Sequence, residues 1–258
     1  MSTWILLRGL TRESRHWGNF VDTLQRELRG AAILALNLPG NGDMNHLPSF
    51  GEVEGMVSWC RRELSSRGLR PPYYLLGMSL GAMVAADWAR AHADEVRGCV
   101  LINTSMRPFS RFYQRLRPAN YPALLRLALL GGSDQAWETT ILRITSNAGP
   151  AATTLAAWTA WRRERPVTRA NALRQLLAAW RYRAPARRPI TPILVLGSAR
   201  DALVDAQCSR DIAARWQADY AEHPTAGHDL PLDDGAWVAR QVRAWLDAQP
   251  AFEASAVV

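Results

Sequence analysis

The sequence predicts an α/β protein, a doubly wound and mostly parallel sheet interrupted by a helical insertion. Three observations carry that expectation. Short apolar runs alternate with amphipathic helical patterns up to Asn103, the alternation stops there, and it resumes at Ile193.

Taken in order, Trp4 to Leu7 is a short apolar run of the kind a buried strand requires. Trp17, Phe20, Val21, Leu24 and Leu28 recur at helical spacing. Ile33 to Leu36 forms a second buried run and ends in the turn-rich Leu38-Pro39-Gly40-Asn41-Gly42. Phe50, Val53, Met56, Val57, Cys60 and Leu64 mark the next helix face. Tyr73 to Leu76 is the third run, stopping at Gly77. An alanine-rich helix from Leu80 to about Ala93 separates it from the fourth, Cys99 to Ile102. From Ser105 to about Arg188 only helical patterns occur, with apolar patches around Leu124–Leu130, Leu155–Trp161 and Leu173–Trp180. A strand from Ile193 to Leu196 then follows Pro189 and Pro192. A helix with Ile212 and Trp216 comes next, then a short strand near Tyr220 and a last helix through Val238, Val242, Trp245 and Leu246. The expected organisation is a core from 1–104 and 189–250, a helical cap over 105–188 and a loose tail at 251–258.

Composition narrows the function classes. The 258 residues are 48% hydrophobic and 21% charged, which fits a globular chain and argues against disorder or fibrous repeats. No stretch approaches the roughly 20 apolar residues that span a bilayer. No basic segment precedes the short apolar run at the N-terminus, so a soluble, cytoplasmic protein is expected. Cys60, Cys99 and Cys208 are scattered, which argues against a disulfide framework and a zinc site. No metal motif, P-loop or dinucleotide fingerprint occurs, so no cofactor is expected.

All 31 basic residues are arginine, and the net charge is +8. Between Arg107 and Arg188 there are 15 arginines against Asp134, Glu138 and Glu164, a balance of +12, so the insertion carries all the excess. That charge fits a solvated lid, or a surface for an anionic substrate or an acidic carrier protein. Nucleic acid is not expected, because no recognised binding module is present.

Gly77-Met78-Ser79-Leu80-Gly81 has the G-x-S-x-G form of a nucleophile elbow, and it lies between a buried strand and a helix as that turn requires. Ser79 is the candidate nucleophile, and a serine hydroxyl needs a neighbouring base. The base falls near the C-terminus in this architecture, which selects His228 in Ala226-Gly227-His228-Asp229, with His223 as the alternative. A carboxylate must hold the imidazole. Asp201 follows the strand ending at Leu196 and is the first candidate, with Asp205 behind it.

On these residues the chain resembles the α/β-hydrolases, and among them the small, helically capped serine esterases that include the pimeloyl-carrier-protein methyl ester esterases. The matching motifs are Leu38-Pro39-Gly40-Asn41-Gly42, the elbow at Ser79, Asp201-Ala202-Leu203-Val204 and Gly227-His228. The resemblance implies an oxyanion hole formed by the backbone amides of Leu10 and Leu80. It also implies acyl-enzyme hydrolysis of a small-molecule ester, with thioester hydrolysis, perhydrolysis or non-catalytic ligand reception as alternatives. The family's usual His-Gly after the first core strand is Arg8-Gly9 here. Arg8, Met78, Trp158, Trp161 and Arg162 are expected to contact substrate.

Overall fold

The computed structural model describes residues 2–149 and 152–249, so the tail at 251–258 lies outside the described residues. Six strands, β1 (Thr3–Leu7), β2 (Ala32–Leu36), β3 (Tyr73–Met78), β4 (Val96–Ile102), β5 (Ile193–Ser198) and β6 (Asp219–His223), form one sheet in the order β2-β1-β3-β4-β5-β6. Every pairing is parallel. Parallel strands need crossovers, and helices supply them on both faces.

Successive strand residues point to opposite faces, and both faces are covered. On one face Ile5, Leu7, Leu75, Cys99, Leu101 and Val195 pack against α2 (Val53–Ser66), α3 (Leu80–Ala91) and α9 (Gln207–Trp216). On the other, Trp4, Leu6, Leu76, Val100, Ile102 and Leu196 pack against α1 (Phe20–Glu27) and α10 (Leu230–Ala248). This two-sided burial is why the inner strands β1, β3, β4 and β5 read as apolar runs.

Trp17 departs from the helical expectation. It ends a 3₁₀ turn, Ser14–Trp17, and Gly18 at φ 51° breaks the path before α1 begins. Its ring still packs on Phe20, with centroids 5.5 Å apart, so helical spacing marked the contact correctly and the element wrongly.

Between β4 and β5 the chain forms α4 (Phe112–Arg115), α5 (Tyr121–Leu130), α6 (Asp134–Thr145), α7 (Ala152–Glu164) and α8 (Arg169–Arg181). The Ser133 and Thr168 side chains accept from the third amide of α6 and α8, which fixes where those helices start. The two ends of this segment meet in an isolated parallel bridge, Arg107 to Arg183.

The strand order reverses direction at β1 and β3. Leu7 pairs with Gly77 there, so the loops leaving both strands emerge side by side. Open parallel sheets bind ligands at such a switch point, outside the carboxyl ends of the strands.

Candidate active site

Ser79 occupies that point. It links β3 to α3 with φ 54° and ψ −116°, a backbone conformation costly for any residue with a Cβ. The flanking glycines make the turn possible by close approach. A Cβ on Gly81 would lie 2.1 Å from the Leu7 carbonyl oxygen, and one on Gly77 would lie 2.3 Å from the Gly81 carbonyl oxygen. The Ser79 amide donates to the Ile102 carbonyl at 3.0 Å, and the Thr104 hydroxyl donates to the Ser79 carbonyl at 2.9 Å. The end of β4 therefore holds the strained turn.

His228 lies in the loop between β6 and α10. Its Nδ1 is 2.7 Å from Asp201 Oδ2, and both side chains are buried. The other Asp201 oxygen accepts from the amides of Leu203 and Val204 at 2.8 and 2.9 Å. Both carboxylate oxygens are thus engaged, so the group has little freedom to rotate. Asp205 does something else: it accepts from the Gln207 amide at the start of α9 and sits 3.4 Å from Arg117. His223 is also elsewhere. Its Nδ1 accepts from the Ala226 amide at 2.9 Å, and its Nε2 is 3.3 Å from Asp234.

The loop after β1 lies against the elbow. A Cβ on Gly9 would stand 3.2 Å from Ser79 Cβ, which brings the backbone carrying Leu10 next to the serine. Leu80 is the first residue of α3, where an amide has no intrahelical acceptor. Among the described residues the amides of Leu10 and Leu80 have no backbone acceptor. Thr11 stands at φ 57°, and its amide donates to Gln175 Oε1 of α8 at 2.8 Å.

Ser79, His228, Leu10 and Leu80 line one cavity of about 320 Å³. Its far wall is apolar and comes largely from the helical segment, including Leu116, Leu124, Ile141, Ile144 and Leu176. Phe112 and Trp180 also line it and are themselves exposed, which places them at its mouth. Met78 is part of the lining, as expected.

Of the other four expected substrate contacts, one lines the cavity and three lie away from it. Arg8 lines the cavity, but its guanidinium is buried in a two-pronged ion pair with Asp229, at 2.6 and 3.0 Å, and stacks on Trp17. It is already neutralised. Trp158, Trp161 and Arg162 do not line the cavity. Trp158 is buried between the Arg12 guanidinium and His16, and Trp161 packs on His16 beneath Arg15. Arg162 binds Asp134 at 3.1 Å and approaches Glu138 at 3.5 Å. Net charge along the sequence counts arginines but cannot show which acids from other elements meet them.

Sequence reasoning missed three supports of the site. Asn103 Nδ2 donates to the carbonyl of His228 at 2.8 Å and to Ser198 Oγ at 2.9 Å, fastening the histidine loop to β4 and β5. Thr104 holds the elbow, as described above. Gln175, fully buried, joins Thr11 to Asn41 Oδ1, the latter at 2.8 Å. The positive φ of Asn103, 43°, is the local signature of the first, and no sequence pattern announces it. Among the described residues no group of three His, Cys, Asp or Glu side chains could hold a metal ion, and no helix is long and apolar enough to cross a membrane.

Comparison with known proteins agrees with this architecture. Over 101 residues the chain is 30% identical to the pimeloyl-(acyl-carrier protein) methyl ester esterase of Aeromonas hydrophila subsp. hydrophila, covering 39% of this chain and 37% of that enzyme. The match thus spans little more than a third of that curated relative's length. Among solved structures, an esterase from Exiguobacterium antarcticum superposes with a TM-score of 0.79 at 12% identity, covering 96% of this chain and 92% of that one. The enol-lactonase from Burkholderia xenovorans LB400 gives 0.75 at 17% identity, covering 95% and 91%. At such identities the likeness establishes the fold and leaves the chemistry to the site. The profile of the Alpha/beta hydrolase family matches residues 4–241, and the chain belongs to that family.

Proposed function

We propose that the chain is a serine hydrolase that cleaves carboxylic esters through an acyl-enzyme, with Ser79 as nucleophile, His228 as base and Asp201 as the orienting acid. The observation that carries the reading is the 2.7 Å contact from His228 Nδ1 to Asp201. It leaves Nε2 as the ring's free nitrogen, on a residue that lines the same cavity as the strained Ser79.

Ser79 Oγ attacks the ester carbonyl carbon while His228 Nε2 takes its proton, and Asp201 stabilises the imidazolium. The carbonyl oxygen, now carrying the charge, accepts from the Leu10 and Leu80 amides, donors fixed before the reaction begins. Nε2 then protonates the alcohol oxygen as the ester C–O bond breaks, leaving the acyl group on Ser79. A water molecule, deprotonated by the same nitrogen, attacks the acyl carbon. Its proton passes back to Ser79 Oγ as the acid departs. The apolar far wall suits an aliphatic acyl or alkyl chain.

The relative's name adds a substrate linked to a carrier protein. For this chain that extends the reading to an acidic carrier, which the +12 balance of the segment from Arg107 to Arg188 favours.

A fluorophosphonate probe tests the nucleophile. Ser79→Ala should lose labelling and all turnover of p-nitrophenyl esters from acetate to palmitate while keeping the fold. Labelling that persists at another serine refutes the assignment. A folded wild type that turns over no ester in that panel points instead to ligand reception.

A further inference from the structure

Several arginines of this fold meet a carboxylate: Arg8 with Asp229, Arg12 with Glu138, Arg61 with Glu95 and Arg162 with Asp134. Among the described residues many others do not, and three of those share a cavity. Arg107, Arg115 and Arg183 line a second cavity of about 410 Å³. Among the described residues none of the three makes an ion pair within 4.0 Å. The backbone bridge between Arg107 and Arg183, reinforced by the Ala184 amide donating to the Arg107 carbonyl at 2.6 Å, holds two of them side by side. Like charges set opposite one another on paired backbone repel.

Arg115 is held from the other side. Its guanidinium donates to the carbonyls of Ala179 and Trp180 in the last turn of α8, the latter at 3.3 Å, and to Ser105 Oγ at 3.4 Å. A helix C-terminus presents only about half an elementary negative charge. The pocket therefore keeps a positive excess. Burial, and then the charge of Arg107, push the Arg115 pKa down, as expected for a cation without a full counter-ion.

The second cavity adjoins the first. Phe112, Arg115 and Trp180 belong to both. Arg115 is thus common to the cavity that Ser79 lines and to the one that Arg107 and Arg183 line.

We propose that Arg107, Arg115 and Arg183 form an anion subsite that takes a carboxylate or phosphate carried at the end of the ester remote from the scissile bond. The proposal rests on the ester-hydrolase reading and names its substrate class: amphiphilic esters with an apolar stretch and a terminal oxyanion. Guanidinium groups suit this task because their planar donors match carboxylate and phosphate oxygens in pairs.

The test compares mono-p-nitrophenyl suberate with p-nitrophenyl octanoate, and 4-octanoyloxybenzoate with phenyl octanoate. The anion sits on the acyl chain in the first pair and on the alcohol in the second. In one pair the charged-to-neutral ratio of kcat/KM should fall about tenfold in Arg107→Gln/Arg183→Gln, the size expected for losing charged hydrogen bonds. That pair identifies which end carries the anion. The same ratio should fade between about 20 and about 500 mM salt. Arg183 is exposed and Arg107 half-buried, so both substitutions should fold, and each single variant repeats the measurement if the double does not. Calorimetry on Ser79→Ala protein, with monomethyl suberate against methyl octanoate, reads the preference without turnover. Ratios in both pairs that are salt-independent and unchanged by the substitutions, with esters still hydrolysed, overturn the subsite and leave the hydrolase reading standing. No turnover, but arginine-dependent binding of monomethyl suberate, does the reverse.

Discussion

Arg8 and Asp229, 221 positions apart in the chain, form a buried two-pronged ion pair that joins the two loops of the candidate site. Arg8 immediately precedes Gly9-Leu10, the loop beside Ser79, and Asp229 immediately follows His228. The pair therefore fixes the proposed oxyanion donor and the proposed base relative to one another. Where the resemblance implies His-Gly, position 8 carries a cation that brings its own counter-ion.

Removing one partner strands the other charge in the interior, which costs about 3–5 kcal/mol. Arg8→Met and Asp229→Leu should each lower unfolding stability by that amount in urea, and the double replacement should recover part of it. A single-variant loss below about 1 kcal/mol, the range of exposed pairs, would show that the pair does not hold the loops.

The two aspartates after β5 separate by partner. Asp201 binds the imidazole and two amides, whereas Asp205 accepts from the Gln207 amide at the start of α9 and lies 3.4 Å from Arg117. Asp201→Asn should reduce kcat by about 10⁴-fold, the scale of losing a triad aspartate. Asp205→Asn keeps an acceptor for the Gln207 amide, so it should cost less than about 1 kcal/mol of stability and change kcat less than about twofold. If steady-state kinetics on p-nitrophenyl butyrate reversed that order, the acid role would pass to Asp205.

The candidate site is unevenly legible in the sequence, and the reason is physical. The Ser79 turn tolerates nothing larger than glycine at positions 77 and 81, so its backbone geometry is written in residue types. The inner strands β1, β3, β4 and β5 are equally plain, because burial on both faces demands apolar runs, whereas the edge strand β6 carries Asp219, Glu222 and His223 and is half exposed. The wall of the cavity is not plain. Helical periodicity in α5 to α8 shows that each helix has an apolar stripe but not what that stripe faces. Trp158 and Trp161 therefore look like substrate contacts and prove to pack on His16, while exposed Trp180 lies at the mouth. Buried polar anchors are harder still. Asn103 and Gln175 have no periodicity to betray them, since their partners lie in distant loops.

Gln175 offers a direct test of whether the helical segment shapes the proposed oxyanion loop. Its amide oxygen accepts from the Thr11 amide, and its nitrogen donates to Asn41. Gln175→Leu keeps the volume and orphans the buried Asn41 oxygen, a loss of about 1–3 kcal/mol, and the half-buried Thr11 amide, which costs less. A displacement of the Leu10 amide by about 1 Å should cost up to about 10²-fold in kcat, with KM little changed, because that donor acts on the transition state. A kcat equal to wild type, in a variant destabilised as expected, would mean that the loop holds its position without α8.

His16 links the same region to pH. Its Nδ1 lies 3.2 Å from the Glu13 amide, and its Nε2 lies 3.0 Å from Arg12 Nη1. A neutral imidazole carries one N–H, so a second proton would turn another donor toward a donor. Burial first, then the charges of Arg12 and Arg8, hold its pKa well below 6.5; the Glu13 backbone opposes them less strongly, and Arg15 adds the smallest push downward. The folded chain thus binds this proton later than the unfolded chain does. Below about pH 6.5 the unfolded state carries the extra proton, and stability falls with a slope approaching about 1.4 kcal/mol per pH unit until the folded pKa is reached. Above that window His16 contributes its full stability, and the curve is flat with respect to this group. Other buried carboxylates titrate too, so the informative quantity is the difference between wild type and His16→Gln. That difference in unfolding free energy should be constant from about pH 7 to 8 and should shrink steadily from about pH 6.5 toward 5. Parallel curves across the acid range would mean that His16 titrates in the folded protein as it does in the unfolded chain.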